Sequence, residues 1–154
     1  MNPGGSDPLE ILSVLFPVLG ELDLADPEAA VRRLRTELPF GGDALAPVLS
    51  WLGGGEAGAL LTKEVGGIRF GRLAKDHEGF SLDLVEMDRA GPPHRHPRGE
   101  IDLCLAVEGD PRFDGEPEGW VVYGADSVHT PTVTGGRMRI LYLLPGGAFE
   151  LLGG

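Results

Sequence analysis

Gly91-Pro92-Pro93-His94-Arg95-His96-Pro97-Arg98-Gly99-Glu100 decides the fold, because two of the four histidines of the chain stand there at strand spacing. Side chains alternate across a β-strand, so His94 and His96 point to one face. The Pro97-Arg98-Gly99 break lets Glu100 return on the neighbouring strand to meet them, and His129 is expected to close the group from a third strand. Three neutral imidazoles and one carboxylate make a borderline donor set. It suits one divalent transition metal, Fe, Mn, Zn or Ni, and is too rich in nitrogen for a calcium or magnesium cage. Within this set Glu100 and His96 are the candidate catalytic residues, with Glu100 read either as a ligand or as a general base.

The strand that Glu100 opens extends the argument. Over residues 100–108 the odd positions Ile101, Leu103, Leu105 and Val107 are aliphatic, while the even ones are Glu100, Asp102, Cys104 and Ala106. If Glu100 faces a metal, small and polar side chains line the interior beside it and leave room for a ligand. The aliphatic row then needs cover from outside, by an N-terminal helix or by a second subunit, and a homodimer is the expected assembly. The alternative reverses the faces and leaves Glu100 in solvent.

Short apolar runs broken by Gly, Pro and Asp continue on both sides, and they predict strands at 59–65, 67–74, 80–88, 93–97, 100–108, 119–123, 127–133, 137–144 and 148–152. So many short strands without intervening helices predict a mainly β fold, a barrel or two-sheet jelly roll. Residues 7–52 read as helical. Asp7-Pro8 and Asp26-Pro27 each put a capping carboxylate before a proline at the first helical position. Leu9, Leu12, Leu15, Phe16 and Leu19 form one stripe that Pro17 ends or kinks. A second helix carries Ala30, Val31, Leu34 and Leu38, and a third runs from about Asp43 to Leu52, where Gly53-Gly54-Gly55 stops it. The expected organisation is one structural domain, with a helical segment over 1–58 packed on a barrel over 59–154.

The chain has 154 residues and a formal charge of -11, so phosphate backbones and anionic membranes would be repelled, and neither nucleic acid nor membrane is an expected partner. An anionic small substrate has to be captured by local arginines. One cysteine, Cys104, excludes an internal disulfide and fits a reducing compartment. Met1-Asn-Pro-Gly-Gly lacks the basic start of an export signal, and no apolar run approaches the length of a membrane span. Cytoplasm is the expected location.

Arg72 follows Ile68 and Phe70 at period two and is a candidate for pairing with a substrate carboxylate at the barrel mouth; Arg139 is the second candidate. Tyr142, with Tyr123 and Trp120, can supply an aromatic wall or a hydroxyl. Cys104 reads as a small buried hydrophobe. His77, in Lys75-Asp-His-Glu-Gly79, reads as a solvated turn residue. A P-loop, a dinucleotide fingerprint, a nucleophile elbow and a Cys-x-x-Cys pair are all missing from the sequence.

Gly91, His94, His96, Glu100 and Gly109 together resemble the first motif of the cupins, and Gly119 through His129, with Gly124 in the turn, resembles the second. The second motif departs from the family pattern in having Tyr123 where a proline usually precedes the glycine, and in lacking an asparagine after the histidine. The resemblance implies a cupin-type double-stranded β-helix barrel. More narrowly, His96-Pro-Arg-Gly-Glu-Ile-Asp-Leu-Cys-Leu-Ala106, Glu108-Gly-Asp-Pro-Arg-Phe-Asp-Gly115, Gly119-Trp-Val-Val-Tyr123, His129-Thr-Pro-Thr-Val-Thr-Gly-Gly-Arg-Met138 and Ile140-Leu-Tyr-Leu-Leu-Pro-Gly-Gly147 resemble the bacterial 4-hydroxylaminobenzoate lyases. That likeness covers roughly residues 67–150 and implies conversion of a small aromatic carboxylate, 4-hydroxylaminobenzoate, to 3,4-dihydroxybenzoate and ammonia in nitroarene breakdown. Two other functions fit the cupin pattern: a dioxygenase acting on an aromatic or thiol substrate, separable by oxygen consumption, and a non-enzymatic binder of a small molecule.

Overall fold

The computed structural model describes residues 7–152, so the Met1–Ser6 stretch and the last two residues lie outside it. The first half is helical: α1 (Pro8–Ile11), a 3₁₀ turn (Leu12–Leu15), α2 (Phe16–Leu19), α3 (Pro27–Glu37), α4 (Ala46–Leu52) and α5 (Gly55–Gly58). Both expected caps form. Asp7 accepts from the Leu9 amide at 3.0 Å and Asp26 from the Ala29 amide at 3.2 Å. The first stripe is broken into three pieces because Pro17 lacks an N–H and its ring crowds the carbonyl of Ser13, which instead takes an i→i+3 bond from the Phe16 amide. The third helix starts at Ala46, later than Asp43, where Pro47 supplies the first-turn geometry. No helix among the described residues is long and apolar enough to cross a membrane.

The strands are β1 (Lys63–Val65), β2 (Ile68–His77), β3 (Phe80–Met87), β4 (His94–His96), β5 (Glu100–Phe113), β6 (Gly119–Tyr123), β7 (Ser127–His129), β8 (Val133–Pro145) and β9 (Glu150–Leu151). They make two antiparallel sheets, β1-β2-β3-β8-β5-β6 and β7-β4-β9, the mainly β, two-sheet architecture that the sequence pattern predicts. Several boundaries differ from the sequence reading, β2 running on to His77 among them. Residues 59–61 belong to the turn after α5, not to a strand. β5 and β8 run on as a long bulged antiparallel pair past residue 108, because Gly109 and Gly135 take the left-handed backbone that the register shifts demand. The expected strand 127–133 splits into β7 and the start of β8.

The large sheet has two different faces. Leu82, Leu84, Ile101, Leu103, Trp120, Leu141 and Leu143 pack with Leu12, Leu15, Leu34, Leu45, Val48 and Leu52 in one cluster, so the helices cover the aliphatic row of β5. That cover is intramolecular for Ile101, Leu103 and Leu105, while Val107 is 40% exposed. Trp120 fixes the helix–sheet contact by donating Nε1–H to the Leu38 carbonyl at 2.9 Å. The opposite face, carrying Glu100, Asp102, Cys104, Ile140 and Tyr142, looks into the barrel toward the small sheet.

Candidate metal centre

β4 alternates so that His94 and His96 are buried and Arg95 between them turns outward, where it pairs with Asp126 and Glu150. β7 lies against β4 with His94 directly opposite His129, which brings the third imidazole to the same face. Glu100 arrives differently from the sequence expectation: it comes from the facing sheet and not from a neighbouring strand of the same one. The connection is a tight turn closed by the Gly99 amide on the His96 carbonyl at 3.1 Å. Gly99 has φ 91°, and a Cβ there would lie 2.7 Å from Leu24 and 2.9 Å from the Tyr123 carbonyl, so only glycine lets the chain cross between the sheets at this point.

The donor atoms converge. His94, His96, Glu100 and His129 each offer one ligand atom, all within 4.8 Å of one another. Glu100 Oε1 is 3.3 Å from His94 Nε2 and 3.2 Å from His96 Nε2, and Glu100 Oε2 is 3.6 Å from His129 Nε2. Bonds of about 2.0–2.2 Å to one ion put neighbouring donors about 3 Å apart, the spacing seen for these pairs. The second ring nitrogens are all engaged. Nδ1 of His94 donates to the Pro92 carbonyl at 3.4 Å, Nδ1 of His96 meets Ser127 Oγ at 2.9 Å, and Nδ1 of His129 donates to Asp114 Oδ2 at 2.6 Å. Such partners orient imidazoles so that Nε2 lone pairs face the centre. His96 Nε2 and Glu100 Oε2 are buried with no hydrogen-bond partner, which is costly unless a cation takes their lone pairs. The donor set thus fits a divalent transition metal.

The electrostatics agree with this arrangement. Burial pushes the Glu100 carboxyl up, but the imidazoles of His129, His94 and His96 beside it outweigh this and hold the group well below its ordinary value. Asp102, two residues on and facing the same way, is fully buried; burial and the Glu100 charge push its carboxyl well above the ordinary value. For His129, burial is outweighed by Asp114 and Glu100, which raise the metal-free imidazole to about 9.

The other sequence candidates separate by face. Arg72, Asp83, Tyr142 and Asp102 lie opposite one another across β2, β3, β8 and β5, so Arg72 and Tyr142 share the inner face with the centre. Arg72 is half-exposed at the edge and makes two bonds to Asp83, 2.9 and 3.4 Å long. Arg139 corrects the expectation made for it. Its odd position on β8 turns it to the helical face, where it bonds Glu86 at 2.8 Å and the carbonyls of Leu52 and Gly54 at 2.9 Å each. It is a clamp on the end of α4 and has no access to the barrel interior. Cys104 is buried in the interior wall, and His77 packs edge-on against Phe16 at 5.0 Å, away from the centre.

Asp114 was not singled out by sequence reasoning. One carboxylate holds His129 and the Tyr123 hydroxyl on Oδ2 and the Thr132 amide on Oδ1. Its only local mark is the Asp114-Gly115 turn, where Asp114 itself takes φ 50°. Nothing in that dipeptide reveals that β5 must run to Phe113 before the side chain reaches His129.

A family model described as PnbB, 4-hydroxylaminobenzoate lyase, matches residues 26–151. Among solved structures, the chain is similar to an RmlC-like cupin protein of Ralstonia eutropha, with 18% identity, a TM-score of 0.41, and 55% of this chain and 60% of that one covered. It is similar to an oxalate oxidase in complex with the substrate analogue glycolate, at 18% identity and a TM-score of 0.43 over 60% and 61% of the two chains. KdgF of a Halomonas species is a third, at 18% identity and a TM-score of 0.42 over 60% and 86%. The match spans about three fifths of the length of the first two. No curated protein matches the sequence.

Proposed function

This chain belongs to the 4-hydroxylaminobenzoate lyase family, and we propose that it converts 4-hydroxylaminobenzoate, or a close hydroxylaminoarene, to the catechol and ammonia. The observation that carries the reading is the convergence of His94, His96, Glu100 and His129 around buried, unpartnered His96 Nε2 and Glu100 Oε2. Substrate and water together contain the atoms of 3,4-dihydroxybenzoate and ammonia. The N–O bond, the C–N bond and one ring C–H bond break, two C–O bonds form, and the electron pair lost by the ring carbon that gives up its hydrogen is gained by nitrogen, so no outside oxidant is required.

His94, His96, Glu100 and His129 would hold the metal, which supplies a Lewis acid that draws charge from an oxygen beside it. The chain's own groups do the rest. The Nδ1 partners keep the three imidazoles aimed at the centre. Glu100 would hold the metal through one carboxylate oxygen and take a proton from an approaching group on the other. Arg72 supports recognition of the carboxylate, since it stands at the outer edge of the inner face, and a para-substituted ring carries its carboxylate away from the reacting nitrogen. Tyr142, buried between the two, is proposed to flank the ring.

The test is an anaerobic assay of metal-loaded protein with 4-hydroxylaminobenzoate. Ammonia and the catechol should appear in equal amounts. No ammonia there, with oxygen-dependent turnover of an aromatic compound in air, would replace this reading with a dioxygenase.

A further inference from the structure

Three aromatic side chains pack against the ligand histidines among the described residues. Tyr123 stacks on His129 with ring centroids 4.0 Å apart and its hydroxyl is tied to Asp114, and Phe113 meets His129 edge-on at 6.1 Å from full burial. The third, Phe149, lies on His94 at 4.6 Å with the ring planes inclined by 38°, yet is 39% exposed. It touches the metal centre and solvent together. Leu151, opposite His94 in the β4–β9 register and so on the same face, is 65% exposed. Two large apolar groups left in water beside buried polar ligands are unfavourable unless something apolar covers them, and such exposure at a site marks a binding surface.

Their attachment holds them beside His94. β9 pairs with β4 at Leu151 and Glu150, with one more bond from the Leu152 amide to the Pro93 carbonyl at 3.0 Å. Gly146 and Gly147, with φ 64° and 68°, join it to β8 through a turn held by the Gly146 amide on the Gly79 carbonyl at 2.8 Å and the Gly147 amide on the Leu144 carbonyl at 3.0 Å. An aromatic face in contact with His94 recognises a flat ring by offset stacking better than an aliphatic group of the same size.

We infer that Phe149, with Leu151 beside it, forms the wall of the site that binds the aryl ring of the substrate and selects flat rings over puckered ones. This rests on the aryl-carboxylate reading above. Phe149 is a specificity-determining residue in this scheme and ligates nothing.

The experiment titrates metal-loaded, full-length protein with 4-aminobenzoate, which has the ring and carboxylate but no N–O bond, and with cyclohexanecarboxylate, its puckered counterpart. Calorimetry reads affinity and elemental analysis reads bound metal. The wild type should prefer 4-aminobenzoate. Phe149→Ala should lose about ten-fold in affinity for it, equivalent to about 1.4 kcal/mol, and most of the preference, with unchanged metal content. Phe149→Trp should keep both. If Phe149→Ala binds 4-aminobenzoate as tightly as the wild type, the assignment of Phe149 is overturned while the aryl-carboxylate reading stands. If the wild type binds neither compound, both are overturned.

Discussion

Replacing Asp114 by Asn should weaken metal binding in a way that depends on pH. Asp114 Oδ2 receives His129 Nδ1 at 2.6 Å and the Tyr123 hydroxyl, while Oδ1 receives the Thr132 amide at 2.9 Å. Asparagine keeps one of the two acceptor oxygens, so the turn and the imidazole can no longer both be held. Loss of such a partner to a ligating histidine typically costs about 10–100-fold in metal affinity. A second effect has the opposite sign. In the metal-free protein Asp114 and Glu100 raise His129 to about 9, so metal entry must displace a proton throughout the neutral range. Wild-type affinity should then rise about ten-fold per pH unit up to about 9 and level off above it. In Asp114→Asn the imidazole holds its proton less tightly, so its curve levels off earlier. The deficit should be full above pH 9 and narrower at pH 7. The assay is a competition titration of Zn(II) against a chelator at several pH values, with circular dichroism to show that the fold is kept. Parallel curves for the two proteins, or no loss at high pH, would refute the role given to Asp114.

His96→Ala should abolish most metal binding while His77→Ala, altered in a residue that packs only on Phe16 in the β2–β3 hairpin, should keep it; equal metal content in the two by elemental analysis would sink the ligand set. Arg139→Ala should lower the stability measured in urea by about 3 kcal/mol, because Glu86 is left buried with only Arg69 at 3.2 Å, and should leave KM unchanged. Arg72→Ala should raise KM about three- to ten-fold and change kcat less, as loss of a contact made equally in ground and transition states does. In the metal-free protein the raised His129 adds stability that is fully present below about pH 6.5 and is lost as pH rises through about 9, a trend that thermal melts of chelated protein at pH 6 and pH 10 can check.

The alternation in Glu100-Ile-Asp-Leu-Cys-Leu made both faces of β5 legible, since one face carries a carboxylate that only a site explains and the other is aliphatic. His94 and His96 were legible for the same reason. What stayed hidden depends on which sheet a strand joins. Period-two patterning tells which residues share a face and is silent on whether the next strand pairs alongside or crosses over. Glu100 therefore comes from the opposite sheet, and Arg139, a candidate carboxylate partner by residue type, lies on the helical face because its parity on β8 is opposite to that of Tyr142. Asp114 and Phe149 escaped because each lies in a short irregular segment whose role is set by distant pairing.

Parity also explains why the chain tolerates so polar an interior. The face of the large sheet that carries Glu100 and Asp102 could not supply the hydrophobic burial that holds a domain of this size together. The aliphatic face does so instead, by packing on the N-terminal helices through Leu12, Leu34, Leu45 and Leu52. A one-residue slip of β5 would put Glu100 and Asp102 among those leucines and Ile101 among the histidines, so each layer opposes the same error. The helical segment is thus part of what permits the centre: it carries the burial on one side of the sheet, and the other side is left free for carboxylates and imidazoles.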